Sequence, residues 1–323
     1  MTVKLVRALT LIAATALLAT ASGGAHAADK LRVAKSVDLS WEFTSLDIGV
    51  EEGIFAKYNL DVDVSALAGD AKLQQALTSG AVDIGLGSGP SMAFTVKGSP
   101  VIAVAAFDGA PRNVSVSVAP DSPIKGVADL KGKLIAVTTV GSLTDWLAKQ
   151  IAIQQGWGQG GIHTVALGAF EGMLSAAHTH QIDGFMVAME KGYQLEELHQ
   201  GRIVAGMEKF APKFHTHVIF ARKELVASNP DLVNHFLKGF FASVEFMRTH
   251  KEKTSEVAER VLHMSPTVAS KTYDYEISAF STDGHFDPQA VAVLKDSFVD
   301  MHILDSKPSD DQLFTTRFLP VKP

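Results

Sequence analysis

Two stretches of this chain echo each other one hundred residues apart. Leu73, Ala76, Val82 and Asp83 correspond to Met173, Ala176, Ile182 and Asp183. Upstream, Lys30-Leu31 followed by Val37 matches Lys133-Leu134 followed by Val140 and Gly141-Ser142. Each block reads as strand, loop, helix, tight turn and strand. Any two βαβ units look alike, so common ancestry stays open, but the architecture does not need it. A doubled βαβ pattern in 323 residues predicts an α/β fold of two lobes, each long enough to bury its own core. Loops at the carboxyl ends of the strands are then where a ligand is expected.

Short β-branched runs alternate with helical patterns along the first two thirds of the chain. Leu31–Ala34, Val62–Val64, Val82–Leu86, Val101–Phe107, Val114–Val118, Leu134–Val137 and Gly184–Val187 are predicted strands. Predicted helices span Phe43–Glu52, stopped by Gly53, and Ala71–Ser79, stopped by Gly80. A short one runs from Pro90 through Val96, and another spans Leu143–Gln155. This alternation argues for mostly parallel sheets with crossover helices. From about Asn229 the pattern is almost wholly helical. Leu232, Phe236, Phe240 and Val244 stand at helical spacing behind an Asn229 cap and Pro230.

Charge and composition exclude several function classes. Lys and Arg number 29 against 35 Asp and Glu, a formal net charge of -6, so no nucleic-acid partner is expected. The absence of cysteine removes disulfide scaffolds, thiolate metal sites, cysteine nucleophiles and a lipid-modified N-terminal cysteine. Lys4 and Arg7, the apolar run Leu9–Ala21 and the small-residue site Ala25-His26-Ala27 form the pattern of a secretory signal peptide cleaved before Ala28. Its removal takes the net charge from -6 to -8. No later run approaches the roughly 18 apolar residues of a membrane span. A soluble, exported, periplasmic protein is expected.

A family resemblance rests on three further segments. The first is Asp47-Ile48-Gly49-Val50-Glu51-Glu52-Gly53-Ile54-Phe55-Ala56-Lys57-Tyr58-Asn59-Leu60-Asp61-Val62. The second is Leu77 through Gly85, and the third is Asp121-Ser122-Pro123-Ile124 through Leu130-Lys131-Gly132-Lys133. These segments, with the helix start Asn229-Pro230-Asp231, resemble the nitrate/sulfonate/taurine-type substrate-binding proteins of ABC importers, from about Leu31 to Arg248. The resemblance implies a periplasmic-binding-protein type II fold: two α/β lobes joined by two crossover strands that close on a ligand. The implied division is a signal peptide over 1–27, a first lobe of 28–113 plus 218–323, and a second lobe of 114–217. It also implies a small-molecule ligand, delivery to a permease and ATPase complex at the inner membrane, and a monomeric receptor without a cofactor.

Site candidates come from loop tips at strand ends. Gly141-Ser142-Leu143-Thr144 opens a helix, where free N–H groups and the helix dipole suit an anion. Ser142 and Asp145 equally have capping-box spacing, and Asp145 would fill part of that positive end. Gly85-Leu86-Gly87-Ser88-Gly89-Pro90 is a glycine-rich turn whose Ser88 offers a hydroxyl, though glycines there are often turn chemistry alone. Gly69 and Ser40-Trp41 occupy equivalent tips. Arg112 follows a strand near the first crossover and suits a carboxylate or sulfonate by bidentate pairing; a lone arginine is otherwise a solvated charge. Glu190 follows strand Gly184–Val187, where the family often has a hinge-side ligand residue. Its plain alternative is to cap a helix starting near Gly192. If it faces the cleft, it favours a ligand with N–H or hydroxyl donors. Phe170, with Trp41, Phe43 and Phe107, lies near a loop end; each is a core residue or a stacking platform.

His178-x-His180 and His215-x-His217 have metal-pair spacing, yet neither has a carboxylate partner close in sequence, so no metal site is expected. No Gly-x-Ser-x-Gly elbow occurs, and Ser88 has Leu86 and Pro90 where the motif's glycines should be. Three function classes remain. The first is a solute receptor for a small organic anion (a sulfonate or carboxylate, with or without an aromatic ring) or for a neutral or cationic nitrogen heterocycle such as a pyrimidine thiamine precursor. The second is a pyrimidine-synthesising enzyme of the same fold, whose cysteine-rich motif is absent. The third is a solute-sensing partner of a membrane receptor. The receptor is the expected function, and it is not an enzyme.

Overall fold

The computed structural model describes residues 28–323, so the signal-peptide expectation lies outside the described residues. Three runs of chain build it. The first contains β1 (Asp29–Lys35), α1 (Thr44–Glu51), β2 (Leu60–Ala66), α2 (Asp70–Ser79), β3 (Ile84–Ser88), α3 (Ala93–Val96) and β4 (Val101–Asp108). The second contains β5 (Val114–Val118), β6 (Leu134–Val137), α4 (Leu143–Gln154), β7 (His163–Ala166), α5 (Phe170–His178), β8 (Gly184–Ala188), α6 (Met189–Glu197) and β9 (Arg202–Gly206). The third contains β10 (His217–Arg222), α7 (Lys223–Ser228), α8 (Pro230–Thr249), α9 (Lys251–Leu262), α10 (Pro266–Glu276), α11 (Pro288–Asp300) and α12 (Asp310–Leu313).

The strands form two five-stranded sheets, ordered β2-β1-β3-β10-β4 and β7-β6-β8-β5-β9. In each sheet four strands run one way, and the one reached by crossover, β10 or β5, runs against both its neighbours. The amino ends of β10 and β5 therefore lie beside the carboxyl ends of the parallel strands. The chain changes sheet between Asp108 and Val114 and again between Gly206 and His217.

The sequence echo has a structural counterpart. Asp83 and Asp183 each precede the central strand of a sheet and bind the strand beside it. The backbone N–H of Arg32 donates to Asp83 at 3.2 Å, and that of Leu134 donates to Asp183 at 2.9 Å. Val33 pairs with Ile84, and Ile135 with Gly184. Arg32 is therefore the counterpart of Leu134, and matching Lys30-Leu31 to Lys133-Leu134 is one residue out of register. Such a slip would turn every side chain of a strand to the opposite face. The central strand also starts at Ile84 rather than Val82, because Val82 and Asp83 complete the turn out of α2.

The helical third of the chain covers the first sheet. The Asn229 side chain accepts from the Leu232 N–H at 3.2 Å, and Pro230 occupies the first helical turn. Val233, Phe236, Leu237, Phe240, Phe241, Val244 and Met247 form the buried stripe of α8. Phe236 stacks on Phe55, and Phe240 meets the edge of Phe107 at 5.2 Å. Further on, α10 packs on α6 of the other lobe. Lys271 pairs with Glu196 at 2.8 Å and lies 4.1 Å above the Tyr193 ring, and the Ser265 hydroxyl donates to Glu197 at 2.7 Å. The C-terminal helices thus join the two lobes beside the crossovers.

Candidate functional site

At the carboxyl edge of the first sheet, the first residue of β10, His217, stands opposite Ser88 on one side and Asp108 on the other. The 3-10 turn Trp41–Phe43, which follows β1, brings Glu42 to the same point. One potential ligand atom from each of Glu42, Asp108 and His217 lies within 4.8 Å of the others. From the second lobe comes Glu190, in the first turn of α6, and from the linking helices comes Glu276, the last residue of α10. Glu42, Asp108, Glu190 and Glu276 are each no more than 2% exposed.

Burying four carboxylates side by side is costly unless they are neutralised or paired. His217 Nδ1 lies 3.1 Å from Asp108 Oδ2. Burial by itself would lower the His217 pKa, yet the Asp108 hydrogen bond and the charge of Glu42 raise it, which favours an imidazolium between two carboxylates. Burial raises Asp108 and Glu42, against the pull of His217. Burial, with the charge of Glu42, pushes Glu190 up to about 8. Glu276 is raised well above the usual range by burial and then by Glu42, Glu190 and Asp108. Both oxygens of Glu190, one each of Glu42 and Glu276, the Trp41 indole N–H and the Asn113 side-chain oxygen are buried without a hydrogen-bond partner in the protein. Native interiors rarely leave such groups unpaired, so this concentration marks where a polar ligand would bind.

The expected site residues distribute unevenly around this cluster. The Ser40 hydroxyl donates to Glu42 Oε2. Trp41 is fully buried, its ring edge-on to Tyr273 at 6.2 Å. Glu190 does not cap a helix near Gly192, because α6 already begins at Met189 and its N-cap is Ala188. The Met189 N–H donates to the Asn113 carbonyl at 2.9 Å, tying the start of α6 to the first crossover. Arg112 donates through Nη1 to the Tyr275 carbonyl at 3.2 Å, and its guanidinium lies 5.4 Å from the Tyr275 ring centre. Its charge still reaches the cluster, where it opposes the rise of Glu276 and Asp108.

Other candidates are held by local structure. Gly69, at φ 99°, takes a backbone conformation suited to glycine just before α2, and its N–H donates to the Ser36 carbonyl at 2.7 Å. The Ser88 backbone N–H and hydroxyl both donate to Asp70, at 3.0 and 2.7 Å. Ser142 caps α4, accepting from the Asp145 N–H, while the Asp145 carboxylate accepts from the Gly141 N–H at 2.8 Å and from Lys149 at 2.8 Å. Lys149 and the Gly141 N–H hold Asp145 low in spite of its burial. The positive end of α4 is therefore already matched by a carboxylate of its own chain. Leu143 is partly buried against a core cluster that includes Trp146, Leu147 and Val137, and the Phe170 ring tilts towards Phe185 at 6.5 Å.

The histidine pairs do not converge. His215 accepts from the Asp287 N–H at 2.9 Å and is kept near pKa 4 by burial, while His178 bonds the Gln200 carbonyl at 2.7 Å. Only His217 joins the carboxylates, and its partners come from far along the chain. Asp108, Glu42 and Glu276 escaped the sequence reading, although Asp108 ends the apolar run Val-Ile-Ala-Val-Ala-Ala-Phe and Glu42 sits between Trp41 and Phe43. A charge enclosed in apolar sequence is itself a sign of a buried polar group. Glu276 carries no such sign.

No described helix is long and apolar enough to cross a membrane. A Brucella abortus protein described as a binding protein is 24% identical over 225 residues, covering 69% of this chain and 68% of that protein. The periplasmic aliphatic sulphonate-binding protein SsuA of Escherichia coli has a similar fold, with a TM-score of 0.76 at 16% identity over 88% of this chain and 92% of its own. The periplasmic sulfonate-binding protein SsuA of a Methylobacillus flagellatus ABC transporter is similar at TM-score 0.72 and 18% identity, over 91% and 93%. These folds are periplasmic-binding-protein folds, with the same two mixed α/β lobes. The sequence of residues 41–254 matches the family described as NMT1/THI5 like, a match that begins at the buried Trp41-Glu42 turn and runs through both sheets; the chain belongs to that family.

Proposed function

We propose that this protein is the solute-binding component of an ABC importer. In this reading it is exported by its N-terminal segment, holds one small molecule between the carboxyl edges of its two sheets, and delivers it to a membrane permease and ATPase by opening and closing about the two crossovers. The ligand carries N–H donors or positive charge, as a nitrogen heterocycle does, in preference to a sulfonate or carboxylate. The observation that carries this choice is Glu190, wholly buried at the cleft with both carboxylate oxygens unpartnered. A cationic or donor-rich ring answers those oxygens and offsets part of the cost of burying them. An organic anion would add negative charge beside Glu42, Asp108 and Glu276. It would rely on Arg112, which is turned onto Tyr275, and on the α4 start, which Asp145 already fills.

A binding role fits better than catalysis, because the chain has no cysteine to form the cysteine-rich motif expected of the pyrimidine-making enzymes of this fold. The test is a thermal-shift and calorimetric screen of protein starting at Ala28, with aminopyrimidines and other basic heterocycles set against alkanesulfonates and aromatic carboxylates. A basic heterocycle should raise the melting point through mass action and reduce the radius of gyration in solution scattering. Stabilisation by sulfonates alone would overturn the choice of ligand. An unchanged scattering curve at saturating ligand would overturn hinged closure.

A further inference from the structure

We propose that Glu42, Asp108 and His217 form a binding site for a divalent first-row transition cation in the first-lobe wall of the cleft. The three residues come from the turn after β1, the end of β4 and the start of β10, so all three are fixed to one sheet edge and meet whether or not the lobes close. Each contributes one donor atom, and the three atoms lie within 4.8 Å of one another. Ligands about 2.1 Å from a tetrahedral zinc ion stand roughly 3.4 Å apart, so a small inward movement of side chains brings this set into coordination. One imidazole and two carboxylates are borderline-to-hard donors, a set that suits Zn2+, Mn2+, Fe2+ or Co2+. Three protein ligands leave a further coordination position for water or solute.

The surroundings support a cation independently of the three ligands. Glu190 faces Glu42 from the opposite lobe with both oxygens buried and unpartnered, and Glu276 adds a further buried carboxylate. Four buried carboxyl groups gather around one imidazole, and a dication favours their ionised forms. The donors are also held in place from behind. The Ser40 hydroxyl holds Glu42 Oε2 and leaves Oε1, which is buried without a partner, for coordination. The His217 ring lies against Phe107 at 5.7 Å and meets Phe43 edge-on at 5.2 Å, which limits its rotation. Coordination replaces the His217–Asp108 hydrogen bond and releases any proton on the imidazole to solvent.

Cobalt is the probe, because its visible ligand-field bands report coordination directly. Untagged protein from Ala28 onward, stripped with a chelator, is titrated with Co2+ alone and the bound metal is then challenged with Zn2+. The expected result is one saturable site per chain whose bands vanish on Zn2+ addition. His217→Gln and Asp108→Asn should each weaken Co2+ binding at least tenfold, and Glu276→Gln, which removes a neighbouring carboxyl group but no ligand, should weaken it less. Circular dichroism melts of each variant identify any loss that comes from unfolding. Folded His217→Gln protein that binds Co2+ like the parent would overturn the site, and so would the absence of saturable binding in the parent. The solute screen, run on the same chelator-stripped protein, is read separately from either result.

Discussion

The two sheets share one strand order, one antiparallel crossover strand each and one aspartate at the same turn, yet their carboxyl edges differ in chemistry. The first edge gathers Glu42, Asp108 and His217 in nearly complete burial. The second holds the hydroxyls of Thr138, Ser142 and Thr144 bonded to one another, partly exposed, with two buried acids: Asp145, already paired with Lys149, and Glu190. The shared turn shows the same asymmetry. Asp83 takes two bonds from the Arg32 side chain and one from Arg222, with 12% of its side chain exposed, whereas Asp183 pairs with Lys133 at 38% exposure. A repeated topology therefore sets where an edge lies, and the individual residues along it decide what it can bind.

The strongest way to break this comparison is to neutralise the buried acid that faces the first edge from the second. Glu190→Gln should weaken a cationic heterocycle by about 2–5 kcal/mol, read by calorimetry, because it removes one member of a desolvated charge pair. Arg112→Met should change that affinity much less. The pH dependence has a definite sign. The Glu190 pKa rises on folding from an ordinary 4.5 to about 8, so its contribution to stability is complete below 4.5 and is lost as pH rises through 8. Between those values the ligand-free protein should lose stability at up to about 1.4 kcal/mol per pH unit from this group. Glu190→Gln should flatten that slope in denaturant melts, and an unchanged slope would show that Glu190 is ionised in the free protein.

The next largest effect separates the two aspartates. Asp83 joins β1, β3 and β10 through bidentate and single charge-assisted bonds, so Asp83→Asn should cost about 2 kcal/mol. Asp183→Asn keeps an oxygen for the Leu134 N–H and loses a half-exposed lysine pair, so about 0.5 kcal/mol is expected. The Asp83 pKa is lowered by Arg32 and Arg222 in spite of the burial that opposes it, so its contribution is lost as pH falls through the folded value, below the usual carboxylate range. Equal losses from the two variants in urea melts would mean that the repeat is energetically as well as topologically symmetric.

What could be read in the sequence was whatever depends on neighbours in the chain. Strands β4, β5 and β6, the Asn229 cap and the stop of α2 at Gly80 follow from local pattern and turn chemistry, and the structure has them within a residue or so. The echo of Asp83 in Asp183 was visible for the same reason, although the strand register beside it was not, because a one-residue shift leaves the local pattern nearly intact. The charged cluster depends instead on long-range pairing. Asp108 meets His217 across a register between strands 109 residues apart, and Glu276 arrives on a helix whose pattern shows only a buried stripe. Spacing rules search for histidines and acids close together in sequence, and here the sheet supplies the proximity. Glu190 is a candidate in the sequence through its place after a strand end and the family resemblance, but its buried environment depends on the other lobe.

The smallest expected effect concerns a surface contact between the two lobes. Lys271 on α10 pairs with Glu196 of α6 and lies over Tyr193, yet its side chain is 51% exposed and that of Glu196 33%. An ion pair this wet contributes little, because water already solvates both ends and fixing the lysine costs rotamer entropy. Its stack on Tyr193 adds a similar amount at an exposed site. The pair joins the lobes beside the crossovers; if it is made only as they approach, it biases closure without touching ligand. Lys271→Ala should therefore weaken ligand about two- to threefold, mainly through faster dissociation, corresponding to about 0.5 kcal/mol. The parent should lose the same margin as salt is raised, and the variant should be less sensitive to salt. Unchanged dissociation in Lys271→Ala would mean that α10 stays on α6 in the open state too, which leaves the buried carboxylates, rather than the surface contact, to govern closure.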